Sequence, residues 1–321
     1  MLSLFILIYI FQDANDVSSL LLVPPADAVV QIELTHSSPY DFGMDLLNQG
    51  RRSEALELFN HLIKGLEGDA KLHCVLGKAW CYWSNIDAGK ALQEADYIVR
   101  KTSEPLLLAR AHSLIGNIHA WWNAPDKAIE HFDRSFKYYD AIKKDGGKFN
   151  CLLGKASVAI NRKDYDNAFV LIDLAKKLSP KSKSKLDCKI SDIYADIEFN
   201  EFRFEKCILI SEKSLREYEG RSSIMTMFHE ARIGLCYALI GEYDLSFEYA
   251  QRVDSKINAN PSAFVECYNN LTWLFHNRCR GYDYAEIKSR IVAWCKLNDH
   301  ANQIKGVLDF IETETCPDGL K

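Results

Sequence analysis

Helix-breaking residues are scarce in this chain, with eight prolines and sixteen glycines among 321 residues. That excludes collagen-like and Pro/Gly-rich low-complexity architectures. Long apolar runs are also missing. The segment Met1–Phe11 is apolar apart from Ser3 but too short to cross a bilayer, so no stable membrane insertion is expected. Basic residues are absent from the start of the chain, the first being Arg51, whereas a secretory signal opens on a basic segment. Ala26-Asp27-Ala28 has the form of a cleavage site, yet a polar stretch separates it from Phe11. The sequence predicts a cytoplasmic protein, with secretion the lesser alternative. Residues 1–38 are expected to be a poorly ordered leader or a short helix. A net charge of −5 and a pI near 6.0 supply no basic field to gather nucleic acid, which is not expected as a partner.

Recognisable catalytic patterns are missing too. There is no Gly-rich phosphate loop, no G-x-S-x-G turn, no His-rich metal motif, and no carboxylate pair that stands out from ordinary helix polarity. The chain is therefore read as non-enzymatic, with no cofactor and no metal. Ten cysteines spread from Cys74 to Cys316 lack the dense spacing of a disulfide-stapled domain and read as reduced, buried thiols. His276 with Cys279 has no second ligand pair, and His73 and Cys74, being adjacent, point to different helix faces.

What the chain does contain is apolar material, 48% of residues, in a repeating arrangement. Asp164-Tyr165-Asp166-Asn167-Ala168, Arg203-Phe204-Glu205-Lys206-Cys207, Glu242-Tyr243-Asp244-Leu245-Ser246 and Gly281-Tyr282-Asp283-Tyr284-Ala285 share aromatic, acidic, any residue, small. The aromatics fall at 165, 204, 243 and 282, a constant step of 39. Upstream, the small position recurs at Ala128, Ala88 and Ala55. Four residues after each small position stand Phe59, Leu92, Phe132, Ile172, Ser211, Ala250 and Ser289, on the same face of a helix. Eleven or twelve residues before each lies a further small residue, Gly43, Gly77, Gly116, Ala156, Ala195 or Gly234, in a second helical pattern. Two helices per unit follow, crossing closely at the small residues. Gly50 and Gly241 suit the positive φ of a helix C-terminal cap, and Asp126, Asp166, Glu205 and Asp244 place negative charge in first turns.

These units resemble the tetratricopeptide family. Ile115-Gly116 with Ala128, Phe132 and Ser135 is one match; Gly234, Tyr237, Gly241, Tyr243 and Ser246 is another; Ala156, Ala168, Ile172, Ala175 and Pro180 is a third. The period of 39 to 40 exceeds the family's usual 34. It is similar to the long-period subclass of kinesin light chains, polarity adaptors of the LGN type and bacterial peptide-sensing regulators. The resemblance implies an all-α, right-handed helical solenoid of about seven antiparallel helix pairs over residues 39–300. A C-terminal capping helix and tail would occupy 301–321.

It also implies a protein or peptide partner held along the first helix of each pair. Counting along those helices assigns the inward positions to Lys71, Lys78, Tyr82, Arg110, Asn117, Trp121, Asn150, Ser157, Asn161, Lys189, Asp192, Asp196, Asn200 and Asn270. The asparagines suit a peptide backbone, since an amide both donates and accepts. Of the adjacent indoles Trp121 and Trp122 only one can face the core, and Trp121 is assigned to the groove as an aromatic anchor. The lysines 176, 177, 181, 183, 185 and 189 surround Pro180 in an expected inter-repeat turn and read as a solvated run. The function predicted is that of an interaction scaffold or adaptor. The alternative is a peptide-sensing regulator whose effector module is missing or supplied by a partner.

Overall fold

A computed structural model describes residues 39–49, 51–84, 87–178, 183–218, 223–257, 263–297 and 313. Among these there are fourteen helices and no strand. They are α1 (Pro39–Asn48), α2 (Arg52–Gly65), α3 (Gly68–Ser84), α4 (Ala88–Lys101), α5 (Pro105–Trp121), α6 (Pro125–Ala141), α7 (Asp145–Asn161), α8 (Tyr165–Leu178), α9 (Lys183–Asn200), α10 (Phe204–Tyr218), α11 (Ser223–Leu239), α12 (Tyr243–Ile257), α13 (Ala263–Cys279) and α14 (Ala285–Leu297). The chain falls into two compact units that meet in sequence at residues 183 and 184. The expected leader (1–38), Gly50, Pro180 and all but Thr313 of the expected capping segment lie outside the described residues.

Local chemistry starts and stops these helices. Asp87 accepts from the Lys90 amide ahead of α4, and Glu104 accepts from Leu106 and Leu107 ahead of α5, where Pro105 stands at the first turn. Between the two helices of a pair, one turn is used again and again. Asn123, Lys163, Phe202, Gly241 and Gly281 all have positive φ, between 52° and 88°. The following amide bonds back to a carbonyl five residues earlier: Ala124 to His119, Asp164 to Ala159, Arg203 to Glu198, Glu242 to Tyr237 and Tyr282 to Asn277, all at 2.8–2.9 Å. This is the Schellman closure of a helix end. The expectation for Gly241 holds; at three positions a side chain accepts the left-handed conformation that glycine takes freely. A turn this short between packed helices leaves them antiparallel.

In the N-terminal unit, α1 to α8 form four such pairs, with each helix packed on the next and α1·α3, α3·α5 and α5·α7 also touching. First helices thus contact one another across successive pairs. The C-terminal unit, α9 to α14, repeats this where α11 packs on both α12 and α13.

The second helices carry the repeat in its cleanest form. The third residue after each helix start is Ala55, Ala91, Ala128, Ala168, Cys207 or Ser246, and four further on stands Phe59, Ala95, Phe132, Ile172, Ser211 or Ala250. All twelve are completely buried. Two expectations need correction. In the second pair the buried register is Ala91 and Ala95 rather than Ala88 and Leu92, because α4 begins at Ala88 itself. In the seventh pair the register fails. Helix α14 starts four residues after Gly281, not two, leaving Tyr282 in the turn at 61% exposure, with Ala285 and Ser289 also exposed.

Close crossings occur where glycines were expected. The Phe59 ring fills the notch between Gly43 and Gly77, so that an added Cβ would come within 2.5 Å and 2.3 Å of it. Phe132 does the same between Gly116 and Gly154, at 2.8 Å and 2.5 Å. The glycine that faces the ring on α7 is Gly154, not the neighbouring small residue Ala156.

Candidate functional site

The residues assigned to a partner groove keep their spacing in three dimensions. Positions 71, 78 and 82 on α3, 110, 117 and 121 on α5, and 150, 157 and 161 on α7 are each separated by seven and then four residues, which is one helix face. The three faces differ in openness. On α3 all three are half-buried. Lys78 pairs with Glu94 at 2.7 Å and lies over the Tyr82 ring, which Lys90 also approaches. On α5 only Arg110 is partly open, and on α7 only Asn161.

Asn117, Trp121, Asn150 and Ser157 are therefore corrected from groove to interior. The Trp121 indole is 1% exposed and packs edge-on against Trp83, with ring centroids 5.9 Å apart. Its neighbour Trp122 is half-buried, beside His119. Asn117 is fully buried, and neither of its amide atoms has a hydrogen-bond partner. Ser157 donates to the Leu153 carbonyl of its own helix. The reason is that a first helix meets its own partner helix and other first helices as well, so its water-facing strip is narrower than the face this spacing defines.

In the C-terminal unit the same correction applies to Asp192, Asp196 and Asn200, which are buried on α9, whereas Asn270 on α13 is half-buried. The Lys189 side chain lies outside the described set. Asp192 and Asp196 belong to an interior ionic cluster with two residues from α11 that the sequence reading missed. Arg232 Nη1 donates to Asp196 Oδ1 at 2.9 Å, and Arg232 Nη2 lies 3.7 Å from Asp192 Oδ1. Arg232 Nη2 also lies 3.0 Å from His229 Nδ1, which must accept because guanidinium only donates. The His229 proton then sits on Nε2, 3.2 Å from Asp192 Oδ1. Burial holds His229 well below its usual pKa, Arg232 adding to the effect, and pushes the Asp196 carboxyl up to about 7 against the pull of Arg232. All four residues are buried, at 4% exposure or less.

His276, which the sequence paired with Cys279, has another role. Ser246 Oγ donates to the Gly234 carbonyl at 2.8 Å, so His276 Nε2, 2.9 Å from that oxygen, is the donor to it. Nδ1 is then the unprotonated nitrogen, buried and without a partner. Burial, with Arg280 nearby, pushes this imidazole down to about 4. A histidine with a depressed folded pKa contributes stability that is complete above the unfolded value of 6.5 and is lost as pH falls toward 4. The melting temperature is expected to drop across that window, and to drop less steeply in His276→Gln. Equal slopes in both proteins would refute the assignment. Cys279 is disulfide-bonded, which departs from the expected pool of reduced thiols. Cys74, Cys81, Cys151, Cys207 and Cys236 are free and buried, and burial raises the thiols of Cys74, Cys81 and Cys151 to about 12.

Histidines also gather in the N-terminal unit. His112 and His119 on α5 and His131 on α6 are in ring contact, with centroids 5.1 Å (His112–His131) and 5.5 Å (His119–His131) apart. Nδ1 of His112 lies 3.0 Å from Nδ1 of His131. Their separation in sequence, nineteen residues across a turn, is why no local motif revealed them. Of the lysine run, Lys176 and Lys177 end α8 exposed, Lys176 pairing with Asp173 at 3.1 Å. No described helix is long and apolar enough to cross a membrane. No family model matches the chain, and no curated protein matches it significantly.

Proposed function

We propose that this chain is a non-catalytic adaptor of tetratricopeptide type, a right-handed array that holds a protein or peptide segment along its first helices. The observation that carries the reading is the row of polar groups those helices bring together in the N-terminal unit. Arg110 on α5 lies close enough to act electrostatically on His73 of α3 and Tyr40 of α1. Lys71, Lys78 and Tyr82 share the open face of α3. Stacked helix pairs present such rows because each pair adds one first helix at a near-constant step.

Burial of Asn117 and Asn150 changes the chemistry of the row. Its partly open members are Lys71, Lys78, Tyr82, Arg110 and Asn161, so cations and one phenol dominate in place of amides. The segment bound would carry carboxylates, and its capture would weaken as salt rises. Panning a random peptide library against the purified protein tests this. Acidic peptides should be enriched, and the combined variant Lys71→Glu, Arg110→Glu, Asn161→Ala should bind them at least tenfold more weakly, the effect of about 1.4 kcal/mol. The reading fails if enriched peptides bind that variant as well as the parent but are lost on changing Lys176 and Lys177 to Ser.

A further inference from the structure

We infer that His112 and His131 form a binding site for a divalent transition metal of the zinc class, on the seam between α5 and α6, with the His119 ring packed beside His131. Imidazole nitrogen is the donor such ions favour. Two nitrogens bound to one zinc at about 2.0–2.1 Å stand roughly 2.9 Å apart at a right angle and roughly 3.3 Å apart at a tetrahedral angle. The 3.0 Å between the two Nδ1 atoms falls inside that interval. Both nitrogens are thus already spaced as adjacent ligands of one ion, on helices whose crossing is fixed by Gly116 and Phe132.

The surroundings fit an ion as well. His112 is buried and stacked on Tyr138, with ring planes 6° apart, which fixes its orientation. His131 and His119 are half-buried, so the seam opens to solvent on their side. Asp96 of α4 and Glu130 of α6 place negative charge near both of those rings, against Lys127 and Arg134. Among the described residues no group of three His, Cys, Asp or Glu is placed to hold a metal ion, so the site as it stands offers two imidazoles. His119 must therefore turn toward the ion, or water must complete the coordination.

Without metal, one of the two rings carries its proton on Nδ1 and donates it to the other. Metal needs both Nδ1 lone pairs. The donating ring moves its proton to Nε2, and a neutral pair takes up the ion with no net proton release.

Zinc chloride alone, titrated into the full chain against a chromophoric chelator, tests the site. The parent should bind zinc and melt at a higher temperature in its presence. His131→Gln should weaken binding about 100-fold, and His119→Ala, at a half-buried position, by about 10-fold. Helicity and metal-free melting of each variant establish that it is folded. The inference is overturned if zinc leaves the parent's melting unchanged, or if folded His131→Gln and His119→Ala both bind as the parent does. A cobalt-substituted parent that shows thiolate-to-metal absorption would also overturn it, by placing the ion on cysteine.

Discussion

Arg232→Met is expected to remove on the order of 3–5 kcal/mol of stability, the loss that follows when one member of a buried ion cluster is deleted. The Arg232 side chain is 1% exposed, and its guanidinium faces Asp196, Asp192 and His229 while lying over the Phe228 ring. Methionine fills much of the volume, so the penalty comes from two carboxylates left in the interior rather than from a cavity. Two further measurements separate these causes. Adding Asp196→Asn should recover a large part of the loss, because replacing a buried pair together is far less costly than breaking it.

The pH dependence carries the second check. A buried carboxyl whose folded pKa is raised above its unfolded value destabilises the fold increasingly as pH rises between those values. Asp196 already stands at about 7 with Arg232 present, and loss of the guanidinium raises it further. The defect of Arg232→Met should therefore be smaller at pH 5 than at pH 8. Chemical denaturation of parent and variant at both pH values decides the matter, and a defect independent of pH would show that packing rather than charge is responsible.

Phe132→Ala should cost about 3–5 kcal/mol, as expected for deleting a fully buried aromatic ring. More telling is what it does to its neighbours. In the parent, Gly154→Ala places a methyl 2.5 Å from the Phe132 ring, and Gly116→Ala places one at 2.8 Å. The ring is held between the two helices and cannot turn away from both. Overpacking of roughly 1–3 kcal/mol then outweighs the gain of about 1 kcal/mol that alanine normally has over glycine inside a helix. Once Phe132 is alanine the clash is gone, and Gly154→Ala should become stabilising. A double-mutant cycle by urea denaturation reads the sign directly. If Gly154→Ala stabilises the parent as well, the notch is not a tight contact.

Most of the helical frame was legible in the residues themselves. Small residues at near-constant intervals, each with a partner four positions on, are consequences of helix periodicity, and periodicity is a local property. Gly241 could be placed at a left-handed turn for the same reason. Lys163 and Phe202 could not, since nothing in a lysine or phenylalanine announces positive φ; the repeated Schellman turn shows it only in three dimensions. The error at Ala88 was also one of register, because alanines at 88, 91 and 95 all fit the pattern and only packing selects among them.

The sequence alone determined that the chain builds paired helices and that one face of each first helix is polar. Tertiary structure decided which of those polar residues meet water. Lys78 and Asn117 hold equivalent positions on α3 and α5 and have opposite fates, because burial depends on what neighbouring helices lay against a face. Arg232 meets Asp196 across 36 residues, and His131 meets His112 across 19. Pairings of that kind leave no local signature, since they arise only when separate helices are brought side by side.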